Sequence, residues 1–461
     1  MQDLRTYLED IEEEVLHITK EVDPLTEMGA LCSQSARPLL FENVKGYPGW
    51  RVVDRIISTR KLQGIALGVP PQRVMHETAA RLAQGPGEIR IAESPPCKEI
   101  IWLGEDADLF RIPIAVHTEG DGGEIGPRYI GGGIHITRDP DTGVQNEAML
   151  RTQIKGPRHT GILICRRHNY AHYMKHEASG EPMPMAVAIG LHPAYEIAAN
   201  YSGRHDGYDE FALAASLLRE PVEMVRCETS DLMVPATAEI VIEGVVPPGV
   251  LEEEGPFGEF TGYMGHAGKR HIWDVTAITL RKDAIYRHCN ATLFTDHQCL
   301  VALPNEAEIY QNLSRVYGNT EILDVFCPPW ARFLAIVQMN PVYEGHAKAV
   351  LMAALSFNVL QKVVIVVDDD VDIYDMKSII WALSMRVNPA KDILTVKGTR
   401  GFALDYACPE FREFPDDPLE NGILGIDATK PPLSKPEARK RFEIVTPMGS
   451  GRVRLEDYLG N

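Results

Sequence analysis

Leu251-Glu-Glu-Glu-Gly-Pro-Phe-Gly-Glu-Phe-Thr-Gly-Tyr-Met-Gly265 sets two acids, Glu254 and Glu259, on either side of Gly255, Pro256 and Gly258. Pro256 has no backbone donor, and glycine reaches backbone angles closed to other residues. The segment therefore predicts a bent loop rather than a helix or a central strand. A fixed bend can aim two carboxylates into one pocket, where burial and mutual repulsion push their pKa values apart. A solvated acidic turn fits the same letters, because Glu252 and Glu253 extend the run. The rest of the chain has to decide between these two readings.

On either side of this loop, from about residue 110 to 310, short apolar or alternating runs are broken by Gly, Pro, Asp and Asn. They cover 129–137, 148–154, 161–164, 185–191, 238–243, 273–280 and 284–289, a texture of sheet or barrel. One helical insertion is predicted near 208–219. Before this region, Leu4, Leu8, Ile11, Val15 and Ile18 recur at helical spacing and predict an amphipathic helix over 3–20. Phe41 to Gly49 reads as a strand followed by a turn, and 71–84 as a helix. After it, helix 305–317, strand 333–338, helix 344–356, the buried strand 363–367, helix 375–385 and strand 393–396 alternate, as in an α/β unit. The Pro- and Lys-rich stretch from 429 predicts an extended tail with a short terminal helix. The fold class read from this is α/β (α+β) with four parts. Residues 1–110 form a mixed α/β segment, 111–310 a central split β-barrel, 311–440 a C-terminal α/β domain and 441–461 a tail.

The 461 residues carry a net charge of −19, which argues against general affinity for nucleic acid or anionic membranes. No uncharged apolar run approaches the ~20 residues that span a bilayer. Eight scattered cysteines without a CxxC, and an acidic amphipathic N-terminus in place of a signal-like one, predict reduced thiols and a cytoplasmic protein.

Three further places carry chemistry. Asn146 and Arg151 lie five residues apart, so an unbroken strand turns them to opposite faces, and a turn at Asn146 relaxes this. Arg166-Arg-His168 follows an apolar strand, and Glu210 stands at a predicted helix start. Asn, His and Glu suit Mg or Mn, although a core His and a helix-capping Glu account for them too. Asp368-Asp-Asp-Val-Asp-Ile-Tyr-Asp375 reads as a helix cap ahead of a cation site. Ser202-Gly-Arg-His-Asp-Gly207 reads as a loop able to shape a phosphate pocket.

Taken together, the chain resembles the UbiD family of decarboxylases, which use prenylated FMN. The resemblance runs over nearly the whole length. Its markers are Glu254-Gly-Pro-Phe-Gly-Glu259 with Thr261-Gly-Tyr263, Val234-Pro-Ala-Thr-Ala-Glu-Ile-Val-Ile-Glu-Gly244, Asn146 followed by Arg151, Val366-Val-Asp-Asp-Asp-Val-Asp372 and Trp381-Ala-Leu-Ser-Met-Arg386. It implies a catalytic trio of Arg151, Glu254 and Glu259, with Glu259 as proton donor. It also implies a divalent cation, Mn2+ or Mg2+, held by Asn146, His168 and Glu210 and bridging to the cofactor phosphate, with K+ nearby. A flavin prenyltransferase as cofactor supplier and a homodimer or hexamer belong to the same expectation. Losing CO2 from an aromatic ring leaves electrons that no side chain accepts well, so a cofactor fits the chemistry.

The substrate expectation is a (hetero)aromatic monocarboxylate of the pyrrole-2-, indole-3- or furan type, converted reversibly to the free ring and CO2. His297 and Asn305 are the expected pocket residues. A neutral Asn305, where furan dicarboxylate enzymes are expected to carry Arg, hydrogen-bonds a ring heteroatom but cannot pair with a second carboxylate. Arg332 either approaches the pocket or lies on a surface. Hydroxybenzoate-type acids, and a non-catalytic assembly subunit, are the alternatives. One departure is that Ile423 stands four residues before Asp427-Ala428, where some members place a phosphate-binding Lys.

Overall fold

The architecture comes from a computed structural model, which describes residues 2–166, 168–202, 209–289, 292–293, 295–357, 360–402, 404–408 and 419–459. The side chains of His168, Arg400, Leu419 and Glu420 lie outside that description.

Among the described residues the largest sheet has ten strands. Its path runs Tyr129–Ile130, Thr152–Ile154, His159–Ile162, Gly268–Leu280, Ile240–Val246, Met183–Ile189, Ile134–Arg138 and Gln145–Met149. Leu251–Glu254 and Ile100–Leu103 also pair with the long strand Gly268–Leu280. Gln145–Met149 ends this path, yet Thr152–Ile154, near the other end, follows it after only Leu150 and Arg151. Three Cα steps reach about 11 Å at most. The sheet therefore curls until its two ends nearly meet, without closing, and Arg151 sits in the gap. The break between Asn146 and Arg151 falls at Leu150-Arg151 rather than at Asn146, as the spacing alone had suggested.

A second sheet pairs Leu16–Ile18, Leu39–Phe41, Arg51–Asp54 and Ile285–Arg287. Its first strand corrects the predicted helix over 3–20. The helix Leu4–Asp10, capped by Asp3, gives way to a 3-10 turn at Glu12–Glu14 and then to strand. The backbone of Leu16 donates to the Pro38 carbonyl at 2.8 Å, opening a parallel ladder with Leu39–Phe41. Ile11 and Val15 are buried with Leu4 and Leu8 in one core, so the apolar spacing recorded burial and not a continuous helix. The helix Val74–Leu82 begins later than predicted, behind a 3-10 turn at Pro71–Arg73.

The C-terminal sheet runs Ile322–Phe326, Leu334–Met339, Val363–Val367, Leu419–Ala428 and Ile393–Gly401. Helices His346–Phe357 and Met376–Arg386 accompany it. Asp375 caps the second helix by accepting from the Lys377 amide. The rest of the acidic run does other work: Asp368 pairs with Arg439 and Lys430, and Asp370 pairs with Arg386 and Lys430. The cations this cluster holds are thus the chain's own. The expected terminal helix is only the 3-10 turn Leu455–Tyr458, after the short helix Pro436–Arg439. No described helix is long and apolar enough to cross a membrane.

Candidate active site

Glu254 closes the strand Leu251–Glu254, so the acidic segment starts as an edge strand and bends only afterwards. The bend is Gly255 at φ +90° followed by a cis Gly255–Pro256 bond. Phe257–Gly258 then pairs antiparallel with Met264–Gly265, forming a small hairpin that carries Glu259 at its turn. The Glu259 amide donates to the Tyr263 carbonyl at 2.9 Å. A Cβ on Gly265 would stand 2.8 Å from Glu259 Oε1, so the carboxylate needs glycine there.

This geometry brings both acids onto Arg151. Its Nε and Nη2 donate to Glu254 Oε1 and Oε2, each at 3.0 Å, a two-pronged pair. Its Nη1 donates to Glu259 Oε1. The guanidinium also lies 4.8 Å from the centre of the Phe257 ring. Both carboxylates and the guanidinium are nearly excluded from water. Burial raises the Glu259 pKa above its ordinary value and Glu254 adds to the rise, while Arg151 and Arg332 oppose it. Two acids on one cation leave one negative charge in excess, and Glu259 is the acid pushed toward holding a proton. The solvated-turn reading of the segment is thereby excluded.

Beside the trio lies a cavity of about 430 Å³, within the size range of small-molecule sites. Asn146, Glu210, Asn305 and Arg332 line it, as do Leu150, next to Arg151, and Asn169. The trio and His297 are not among its lining groups. Arg332 and Phe402 connect the two places: Arg332 lies 4.4 Å from the centre of the Phe260 ring, and Phe402 packs on the same ring at 6.3 Å. His297 is buried in the first turn of the helix Asp296–Tyr317, and burial, helped by Arg332, pushes its pKa down to about 3. It is a neutral imidazole whose Nδ1 has no partner among the described residues.

The cavity wall suits both a cation and a phosphate-bearing cofactor. Glu147, Asp209 and Glu210 crowd together beside Asn146. The Glu147 amide donates to Glu210 Oε2 at 2.8 Å, and the Glu210 amide to Glu147 Oε2 at 2.7 Å. Burial and then the neighbouring Asp209 and Glu210 carry the Glu147 pKa well up, and burial pushes Asp209 up to about 6. A divalent ion would neutralise that charge with oxygen ligands of the right kind. Asp209, not Glu210, caps the helix Glu210–Leu218. Asn169 Nδ2 is buried on the wall without a hydrogen-bond partner among the described residues, a donor open to an anionic group. Of the expected cation set, Asn146 and Glu210 share this wall, and the His168 side chain lies outside the described residues, as do residues 203–208 of the expected phosphate loop. Ile423 pairs with Val396 inside the C-terminal sheet, so it offers no phosphate ligand.

Residues 8–82, 89–292 and 298–428 match the N-terminal, Rift-related and C-terminal domains of 3-octaprenyl-4-hydroxybenzoate carboxy-lyase, the three parts of UbiD. The chain belongs to the UbiD family. It is a carboxy-lyase of that class. The UbiD-class enzyme HmfF from Pelotomaculum thermopropionicum, in complex with FMN, is 36% identical, with 99% of this chain and 100% of that one covered at a TM-score of 0.90. An evolved dimeric form of the same enzyme, in complex with prFMN, is 36% identical over 100% of both chains, with a TM-score of 0.87. The apo 3,4-dihydroxybenzoic acid decarboxylase from Enterobacter cloacae is 25% identical over 97% of both chains, with a TM-score of 0.87.

Asp121 and Gln153 were not singled out in the sequence, although both hold the bend. The signal available was Gly120-Asp-Gly-Gly123, an acid between glycines, which resembles any surface turn until its partner is known.

Proposed function

We propose that this UbiD-family enzyme is a reversible, non-oxidative decarboxylase of a heteroaromatic monocarboxylate, with prenylated FMN as cofactor and a divalent cation at Asn146, His168 and Glu210. The observation that carries this reading is the contact of Arg151 with both Glu254 and Glu259 beside a cavity of small-molecule size. When bound, prenylated FMN supplies the electron sink that no side chain offers. This chain's residues do the rest. Arg151, fixed by Glu254, holds negative charge next to the ring. Glu259, whose burial favours its protonated form, delivers a proton to the ring carbon that lost CO2, and accepts one in the carboxylation direction. Asn305 contacts the ring heteroatom. A flavin prenyltransferase supplies the cofactor, K+ accompanies the divalent ion, and the enzyme works as a homo-oligomer.

The test is production together with a flavin prenyltransferase, absorbance and mass spectra of the bound flavin, and a CO2-release screen over pyrrole, furan, indole and hydroxybenzoate acids. Prenylated FMN with turnover of a five-membered-ring acid is the expected result. Exclusive turnover of hydroxybenzoates would overturn the substrate class, and a preparation that takes up no flavin would overturn the cofactor. In Glu259→Gln, turnover and ring hydrogen–deuterium exchange should cease while the flavin stays bound. Exchange at the unaltered rate would remove Glu259 from the reaction.

A further inference from the structure

The bend that presents Glu259 is held from outside by one short segment, Thr118-Glu-Gly-Asp-Gly-Gly-Glu-Ile-Gly126. Asp121 is buried, and its Oδ1 accepts from the Gly258 amide at 2.7 Å while its Oδ2 accepts from the Thr118 amide at 3.2 Å. The Gly122 amide donates to the Pro256 carbonyl at 2.7 Å. Gln153 completes the grip: its Oε1 accepts from the Gly255 amide at 3.1 Å, and its Nε2 donates to the Gly126 carbonyl at 2.9 Å. Three backbone groups of the bend, at 255, 256 and 258, are therefore fixed by this segment and Gln153. Gly258 has no slack, since a Cβ there would come within 2.7 Å of Thr118 Oγ1. Gly258 immediately precedes Glu259, so a shift at this amide moves the acid.

We propose that Asp121 is a positioning residue for decarboxylation: through the Gly258 amide it fixes the turn that presents Glu259, and its negative charge favours the protonated form of that acid. The inference rests on the reading of Glu259 as the proton donor. Among the described residues, the charged and titratable groups that act on Glu259 include Arg151, Glu254, Arg332 and Tyr406, with Asp121 itself from the loop side. Burial raises the Asp121 pKa to about 6, so near neutrality it is mostly the charged form that holds the amides. A hydrogen bond from an amide to a buried carboxylate is stronger than one to a neutral oxygen. A small displacement of a proton donor is enough to slow transfer.

The experiment uses holoenzyme made with a flavin prenyltransferase, pyrrole-2-carboxylate as probe, and Asp121→Ala, Asp121→Asn and Glu259→Gln. Flavin absorbance and melting temperature accompany kcat and KM across pH about 5.5 to 9. Asp121→Ala should lose about tenfold or more in kcat, with KM and flavin content within about twofold. Asp121→Asn keeps an acceptor for Gly258 and should recover most of that loss. Its alkaline fall in kcat should move down by about half a pH unit, because a negative charge near Glu259 is gone. Wild-type kcat in Asp121→Ala, or an unmoved alkaline limb in Asp121→Asn, would overturn the inference. If the alanine variant does not fold, the limb in the asparagine variant decides alone. Turnover by Glu259→Gln at the wild-type rate would sink the proton-donor reading itself. An inactive Glu259→Gln beside Asp121 variants that match wild type would sink only the role of Asp121.

Discussion

Arg151 grips Glu254 with two parallel hydrogen bonds of 3.0 Å and reaches Glu259 with its remaining terminal nitrogen. The two acids are therefore not equivalent. Glu254 takes the two-pronged contact, and Glu259, held by one nitrogen, is the acid that burial pushes toward its protonated form.

Glu254→Gln follows directly from this asymmetry. It removes a negative charge that raises the Glu259 pKa and frees Arg151 to pair more fully with Glu259. Both effects lower the Glu259 pKa. A proton donor works in its protonated form, so activity is held below its pKa and lost above it. The alkaline fall in kcat should shift to lower pH, and kcat at neutral pH should drop about a hundredfold. A pH–rate profile checks this, and an alkaline limb at the wild-type position would show that Glu254 does not tune the acid.

What the sequence made legible was mainly what local chemistry dictates. Gly255 and Pro256 favour a bend whatever lies around them, and Val363–Val367 is a strand at its predicted bounds. The partnership of Arg151 with acids more than a hundred residues later was legible only through the family resemblance. The spacing of 146 and 151 argued against a shared face, because it assumed one strand where there are two. The N-terminal helix was overdrawn because Leu16–Ile18 owes its conformation to Leu39–Phe41, a partner the local pattern cannot see. The helices His168–Ser179 and Pro193–Ala199 were missed for opposite reasons. The first has a weak apolar stripe, and the second is buried all round, so that no polar face marks its period.

Arg287 offers a test of what anchors the helix that bears His297 and Asn305. Fully buried, it donates to Asp296 at 2.8 Å, to Asp54 at 3.3 Å, and to Glu196 at 3.2 and 3.3 Å. Burial raises the pKa of Asp54 and of Glu196. For Asp296 burial acts the same way but is outweighed by Arg287 and Arg55, which hold it below its ordinary value. Arg287→Met should cost about 3–5 kcal/mol, because it strands buried carboxylates without their partner. With the guanidinium gone, the folded-state pKa values of Asp54 and Glu196 rise further above their unfolded values, and that of Asp296 rises from below its own. The deficit is then full above those values and shrinks as pH falls and the acids take up protons. Urea unfolding at pH about 8 and about 5.5 measures both, and an equal deficit at the two would refute the electrostatic account.

Metal removal should strip the cofactor as well as the ion. Glu147 and Glu210 stand on the cavity wall with Asp209 beside them, a crowd of carboxyl groups where a phosphate gains nothing without a cation between them. Glu210→Ala should bind Mn2+ at least about tenfold more weakly and should retain correspondingly less flavin after dialysis against a chelator. Metal analysis and flavin absorbance on the same sample check this. Full flavin retention by the metal-free protein would separate the two sites.

Asn305 is the position where one side chain should change the acid preferred. It stands on the helix Asp296–Tyr317 and lines the cavity together with Arg332 and Glu308. Among the described residues its Nδ2 reaches only Cys327 Sγ, at 3.5 Å, and its buried Oδ1 has no partner. An amide in that state has capacity left for a ring NH or oxygen, and costs stability until it finds one. Asn305→Arg replaces it with a cation that pairs a carboxylate through two hydrogen bonds. The ratio of turnover on a furan dicarboxylate to that on a furan monocarboxylate should rise at least about tenfold, equivalent to about 1.4 kcal/mol of discrimination. The same variant should lose activity on pyrrole-2-carboxylate, because the guanidinium has no acceptor to meet on a ring NH. An unaltered ratio, with flavin content intact, would show that the substrate ring never approaches this helix.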